Sequence, residues 1–169
     1  MGLMVRPATP ADSPILQIIE VAAGEQFRAV GMDEIADADP FDLDELHAYA
    51  DAGRSWVAED DGEVLGYIVV DPVGDAAHVE QVSVMPEAQG RGIGRLLLAR
   101  ARAWAIEQGL RAVTLTTFRD VSWNAPLYAH LGFRVLDDHE LTDALRAVRD
   151  AEIEHGLDPA RRVCMRLDL

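Results

Sequence analysis

Between Val84 and Leu96 the chain reads Met85-Pro86-Glu87-Ala88-Gln89-Gly90-Arg91-Gly92-Ile93-Gly94-Arg95. The run before it, His78 to Val84, is strand-like, and Leu96, Leu97, Ala101, Trp104 and Ile106 after it fall at helical spacing. Pro86 stops the strand, and the alternate glycines let the backbone turn tightly and approach an anion closely. The helix that follows aims its unpaired N–H groups and the positive end of its dipole at the same point. A strand, a glycine turn and a helix in that order make a phosphate cradle, with Arg91 and Arg95 beside it to neutralise charge.

Two common nucleotide folds are excluded by the same residues. In the dinucleotide fingerprint G-x-G-x-x-G, Gly90 and Gly92 fit but Arg95 stands where the third glycine belongs. The next strand also ends in Thr116-Thr117, with no acidic residue to take a ribose hydroxyl. All fifteen basic residues are arginine, so the lysine of a P-loop is missing and self-acetylation on lysine is ruled out.

The remaining pattern alternates strands and helices. Val5 begins a strand, and Thr9 with Asp12 caps a helix carrying Ile15, Leu16, Ile18, Ile19 and Ala22. A polar connection from Arg28 to Pro40 leads to a short helix, Asp42 to Ala52, ended by Gly53. Ser55 to Glu59 and Val64 to Val70 read as strands joined by Asp60-Asp61-Gly62, a hairpin signal, and Asp71 to Asp75 make the next turn. The helix after the cradle closes at Gly109. Ala112 to Thr117 is a β-branched strand, Trp123 to Leu131 a helix, Phe133 to Leu136 a strand, Thr142 to His155 a helix, and Val163 to Leu167 the last strand. With no repeat, linker or low-complexity run, residues 1–169 are expected to form one domain.

The longest apolar stretches, Val64 to Val70 and Leu96 to Ala99, fall far short of the roughly 20 residues a membrane span needs. The start turns polar too soon for a secretory signal, and Arg6 occupies the place of a myristoylation Ser or Thr. The lone Cys164 allows no internal disulfide, so a cytoplasmic protein without a membrane partner is expected. A formal charge of −15 disfavours nucleic acid as a partner. His47, His130, His139 and His155 lack metal-ligand spacing, and no metal is expected. Cys164, between Val163 and Met165, reads as small core filling. Oligomeric state is not legible, and a homodimer stays open.

The sequence resembles the GNAT superfamily of N-acetyltransferases, whose signature Q/R-x-x-G-x-G/A follows a strand. The likeness continues in Val82-Ser83-Val84 before the turn, and in Asn124-Ala125-Pro126-Leu127-Tyr128 and Leu131-Gly132-Phe133 after it. It implies an α/β fold: a mixed, mostly antiparallel sheet of six to seven strands, splayed at a coenzyme A cleft and flanked by about four to five helices. It further implies acetyl-CoA as co-substrate, its pyrophosphate on the amides of Gln89, Gly90, Arg91, Gly92, Ile93 and Gly94. The pantetheine arm would pair with the backbone of Val82, Ser83 and Val84, and Asn124 would bond the arm or position the thioester.

An ammonium has no lone pair, so acetylation of an amine needs a base, and the departing thiolate benefits from a proton donor. By resemblance Tyr128 is the donor; a packed helix tyrosine beside Leu127 and Leu131 is the plainer alternative. Strand parity puts His78, Glu80, Val82 and Val84 on one face. Glu80 and His78 are both candidates for the base: an unperturbed histidine, near 6.5, is better poised, and a glutamate needs raising by burial. His78 also reads simply as an exposed strand end. The resemblance walls the acceptor site with Arg28 to Pro40 and Asp137 to Arg162. Asp33, Glu34, Asp37 and Asp39, with Phe27, Phe118 and Trp123 as aromatic walls, suggest a small cationic or amine-bearing acceptor: a small amine, an amino acid derivative or a peptide. The rival reading is a non-catalytic acyl-CoA sensor or interaction module, which would keep the cradle without needing Tyr128.

Overall fold

The computed structural model describes residues 2–169. Its strands are β1 (Leu3–Pro7), β2 (Ser55–Asp60), β3 (Glu63–Val73), β4 (Ala76–Val84), β5 (Ala112–Phe118), β6 (Arg134–Val135) and β7 (Arg162–Asp168). Its α-helices are α1 (Ser13–Gly24), α2 (Asp33–Ala36), α3 (Leu43–Asp51), α4 (Ile93–Glu107), α5 (Ala125–His130) and α6 (Asp143–Glu154). The strands form a seven-stranded sheet in the order β1-β2-β3-β4-β5-β7-β6. Among the pairings described, only β4 with β5 is parallel, from Ala76↔Ala112 to Val79↔Leu115. The helix beyond the sequence expectation is α2, a single turn inside what reads as a polar connection. Among the described residues no helix is long and apolar enough to cross a membrane.

The chain forms two compact units, one comprising the residues up to Val70 with Glu80–Arg100, the other Asp71–Val79 with Ala101–Leu169. In the first unit Leu16 and Ile19 of α1, Leu46 of α3, Val57 of β2 and Tyr67 and Val69 of β3 are buried together. Ile18, which the sequence groups with them, is 57% exposed, because Leu16 and Ile19 put the helix's buried arc on the other side. The start of α1 is tied to β1 by Arg6, which donates to both oxygens of Asp12 at 2.9 and 3.0 Å and to Glu59 at 3.0 Å. The guanidinium holds the Asp12 carboxyl below its ordinary value. Asp61 and Gly62 both have positive φ, 50° and 83°, the conformation that a two-residue hairpin turn demands.

Gly66 of β3 is where the strand meets α4. A Cβ there would lie 2.9 Å from the carbonyl oxygen of Ser83 and 3.1 Å from the side chain of Ile93, and the main-chain oxygen cannot rotate away. Gly66→Ala is expected to lower stability by about 1–3 kcal/mol, read as an earlier urea midpoint, because it overpacks a closed contact.

In the second unit β5 and β7 pair antiparallel throughout, Thr114↔Arg166, Thr116↔Cys164 and Phe118↔Arg162 lying opposite one another. Opposed residues share a face, so Thr114, Thr116, Phe118, Arg162, Cys164 and Arg166 form one side of this ribbon. α6 opens with Thr142, whose hydroxyl accepts from the Leu145 N–H at 3.1 Å, and it buries Leu145 against Leu136 and Cys164. Arg166 closes the other end with a two-armed bond to Asp75 at 3.0 and 2.9 Å.

Candidate active site

The cradle belongs to the first unit. Pro86–Ala88 make a single 3-10 turn, Gln89 is extended, and Gly90 and Gly92 take φ of 84° and 80°. A side chain resists that region, so glycine is required at both positions. Ile93 is buried at the start of α4, whereas Gly90, Arg91, Gly92 and Arg95 are exposed. Leu96 is the first residue to bond back, its N–H reaching the Gly92 carbonyl at 3.1 Å, which leaves the amides of residues 92–95 without an acceptor inside the helix. A Cβ built on Gly90, Gly92 or Gly94 meets nothing within 4 Å, so the glycines face open space. Open amides, a helix dipole and bare backbone together fit a pyrophosphate.

Side chains around the cradle are already engaged. Arg91 donates to Asp60 at 2.6 Å, and Gln89 accepts from Gln26 at 2.7 Å. Arg91 must therefore share its charge with Asp60 if it is also to meet a phosphate. Val82 and Val84 are half-buried, Ser83 is buried with its hydroxyl accepting from Gln81, and the Met85 N–H donates to the Leu65 carbonyl at 2.8 Å. Glu80 is half-buried on β4 in the same unit. One acidic group absent from the sequence reading lies here as well: Glu20 of α1 accepts from the Tyr67 hydroxyl at 2.8 Å and the Phe41 N–H at 3.2 Å. Burial pushes its carboxyl up. Its place on the inner side of an amphipathic helix was the available signal. The acidic connection after α1 is partly neutralised from within, since Arg28 pairs with Asp37 at 2.6 Å and Glu25 at 3.1 Å.

The second unit holds His78, Asn124 and Tyr128. His78 is a correction to the sequence expectation: it is 1% exposed, not an exposed strand end, and burial brings its pKa down from 6.5 to about 4. Its Nδ1 lies 2.9 Å from the Thr114 hydroxyl, and the ring is neutral at ordinary pH. Asn124 precedes α5 and its side-chain oxygen accepts, at 3.4 Å, from the Phe118 N–H. Tyr128 packs edge-on against Phe133, ring centres 5.9 Å apart. Loss of water pushes its hydroxyl up to about 12, against the lowering pull of Arg162. That arginine donates to Glu152 at 3.1 Å and to Thr116 at 3.0 Å, and Thr116 also donates to Glu152. Burial pushes the Cys164 thiol up, which keeps it unreactive, as expected of core filling. Exposed Asp137 and His139 come within 4.8 Å of Glu140, whose carboxylate already binds Arg134 at 2.6 Å.

Residues 16–133 match the model of the Acetyltransferase (GNAT) family. The chain belongs to the GNAT acetyltransferase family. It is accordingly an acyltransferase. The GNAT match reaches from the start of α1 to the residue before β6 and so takes in the cradle, Asn124 and Tyr128. A GNAT relative in Escherichia coli K12, the uncharacterized N-acetyltransferase YjgM, is 28% identical over 79% of this chain and 83% of its own length. The mycothiol acetyltransferase of Tsukamurella paurometabola is 34% identical over 82% of this chain, which spans half of that longer protein. The GNAT fold is matched by the PaiA N-acetyltransferase of Thermoplasma acidophilum, crystallised with coenzyme A, over the full length of both chains at a TM-score of 0.71 and 15% identity.

Proposed function

We propose that this enzyme moves the acetyl group of acetyl-CoA directly onto the nitrogen of a primary amine. The observation that carries the reading is the turn of positive-φ glycines, Gly90 and Gly92, opening a fifteen-residue helix with free amides and nothing where side chains would stand. Its relatives, an N-acetyltransferase and a mycothiol acetyltransferase, support the same donor group. Acetyl-CoA supplies an acyl group activated by a thiol leaving group. The amides of residues 90–95 take the pyrophosphate, the main chain of Val82, Ser83 and Val84 aligns the pantetheine arm, and the Val84 N–H meets the negative charge that develops on the carbonyl oxygen. Asn124 positions the thioester.

For the base, the burial of His78 supports reading Glu80 in the role. A histidine with a pKa of about 4, its Nδ1 committed to Thr114, holds a proton too weakly to strip an ammonium. That leaves half-buried Glu80 as the proposed acceptor, directly or through water. Glu80→Gln is expected to lower kcat at neutral pH by about a hundredfold or more, with acetyl-CoA affinity kept. The loss should shrink as pH rises toward the acceptor amine's own pKa, because solvent then does the deprotonation. The test is calorimetry with acetyl-CoA together with thiol release over a panel of amines. Absence of heat with acetyl-CoA, or of thiol release with every amine, would overturn the reading.

A further inference from the structure

Within the second unit a cavity of about 240 Å³ opens between α6, the segment after β6 and the start of β7. Three arginines reach it, Arg119, Arg149 and Arg162, with Leu136, Val163 and Cys164 among the apolar walls. Their charges are not equivalent. Arg162 is neutralised by Glu152 at 3.1 Å. Arg149 donates to the main-chain carbonyls of Arg162 at 3.1 Å and Pro159 at 3.2 Å, which fix its plane and leave its charge uncompensated. Arg119 is exposed and meets no carboxylate among the described residues. Two uncompensated guanidinium groups at one concavity, in a chain of net charge −15, require an account. Asp137 and Asp138 stand on the rim and oppose an anion, but both are exposed, where water screens them.

We propose that this cavity is an oxyanion subsite holding the carboxylate of the amine acceptor, with Arg119 and Arg149 as its binding residues; the acceptor's part in this rests on the amine-acetylating reading above. A guanidinium already held flat by carbonyl bonds presents its remaining N–H groups with little ordering cost, and a carboxylate matches that planar geometry. Arg162 joins the cavity to Tyr128, the donor that the family resemblance implies. Its guanidinium stacks over Phe118 at 4.6 Å, bonds Thr116, and lies near enough for its charge to bear on both Tyr128 and His78.

Calorimetry on the full chain in chloride-free buffer, with succinate as the probe and inorganic phosphate beside it, tests the cavity without activity. Succinate is expected to bind at one saturable site. Loss of a charged hydrogen bond should weaken it about tenfold in Arg119→Gln and Arg149→Gln, while Arg102→Gln, an exposed change of equal charge on α4, leaves it unaltered. In acetyl transfer, an amino acid acceptor is expected to show a KM about tenfold below that of its methylamide, a gap that closes in Arg119→Gln while kcat holds. The proposal is overturned if succinate gives no heat, if its binding survives both substitutions, if phosphate binds and succinate does not, or if the two acceptors share one KM. If no amine releases thiol, the amine reading fails and the acceptor's role falls with it, while calorimetry still judges the cavity.

Discussion

Gly92→Ala should cost the enzyme about a hundredfold or more in acetyl-CoA affinity, for the equivalent of two charged hydrogen bonds at roughly 1.5–3 kcal/mol each. The added methyl group touches nothing, since a Cβ at Gly92 has no neighbour within 4 Å. What it does is penalise a φ of 80°. An alanine strained by about 1–2 kcal/mol there rotates toward negative φ, turning the neighbouring amides off the pyrophosphate. Gly94→Ala is the control. Gly94 sits at the second position of α4 without positive φ, and the family signature itself admits alanine there. That variant should bind acetyl-CoA as the parent does and gain up to about 1 kcal/mol in stability from helix propensity. Calorimetric titration of both, alongside urea denaturation, separates a misfolded cradle from a misaimed one. Equal affinity in the two variants would mean that the turn does not grip the pyrophosphate.

Much of the fold could be read from the sequence because its punctuation is local. Asp61-Gly62 fixes the β2–β3 hairpin whatever the rest of the chain does, and Pro86 with the glycines ends β4 wherever it sits in the sheet. The cradle was legible for the same reason, since a left-handed glycine acts through its own backbone. Elements set by partners were less visible. β3 runs on to Val73 through Pro72, which pattern alone marks as a turn, and α2 is one turn of helix among acidic residues. Strand β6 shrinks to Arg134–Val135 because only those two residues pair with β7.

The sequence names candidate residues for the site but not their state. Parity puts His78 and Glu80 on one face of β4, but nothing in the sequence says which of them is covered. The parallel pairing of His78 with Thr114 sets the histidine deep enough to lose its solvent, and desolvation then outweighs the nearby negative charges of Glu152 and Asp71. The arginines at the cavity were missed for a related reason. Arg119, Arg149 and Arg162 lie just past β5, on α6 and on β7, thirty residues apart at the first step, and only the fold gathers them. Within an arginine-only set of basic residues, no single one stands out.

Tyr128→Phe should lower kcat by roughly ten- to hundredfold, the worth of one hydrogen bond to a charged group, without altering acetyl-CoA affinity or stability. The ring keeps its edge-on contact with Phe133 at 5.9 Å, so packing is preserved and only the hydroxyl is removed. The size of the effect follows from the acidity. A phenol pushed up to about 12 keeps its proton at any pH at which the protein works. It is then a weaker acid than the thiol it would serve, which has a pKa of roughly 8.5. Full transfer to the leaving sulfur would run uphill. In the proposed reaction Tyr128 is therefore a donor that would stay protonated and steady the charge growing on sulfur, with solvent completing the protonation after release. The alkaline limb of the kcat profile should accordingly be the same in Tyr128→Phe and in the parent. A limb that disappears with the hydroxyl would show that the phenol titrates within the working range, and an unchanged kcat would leave Tyr128 as a packing residue of α5.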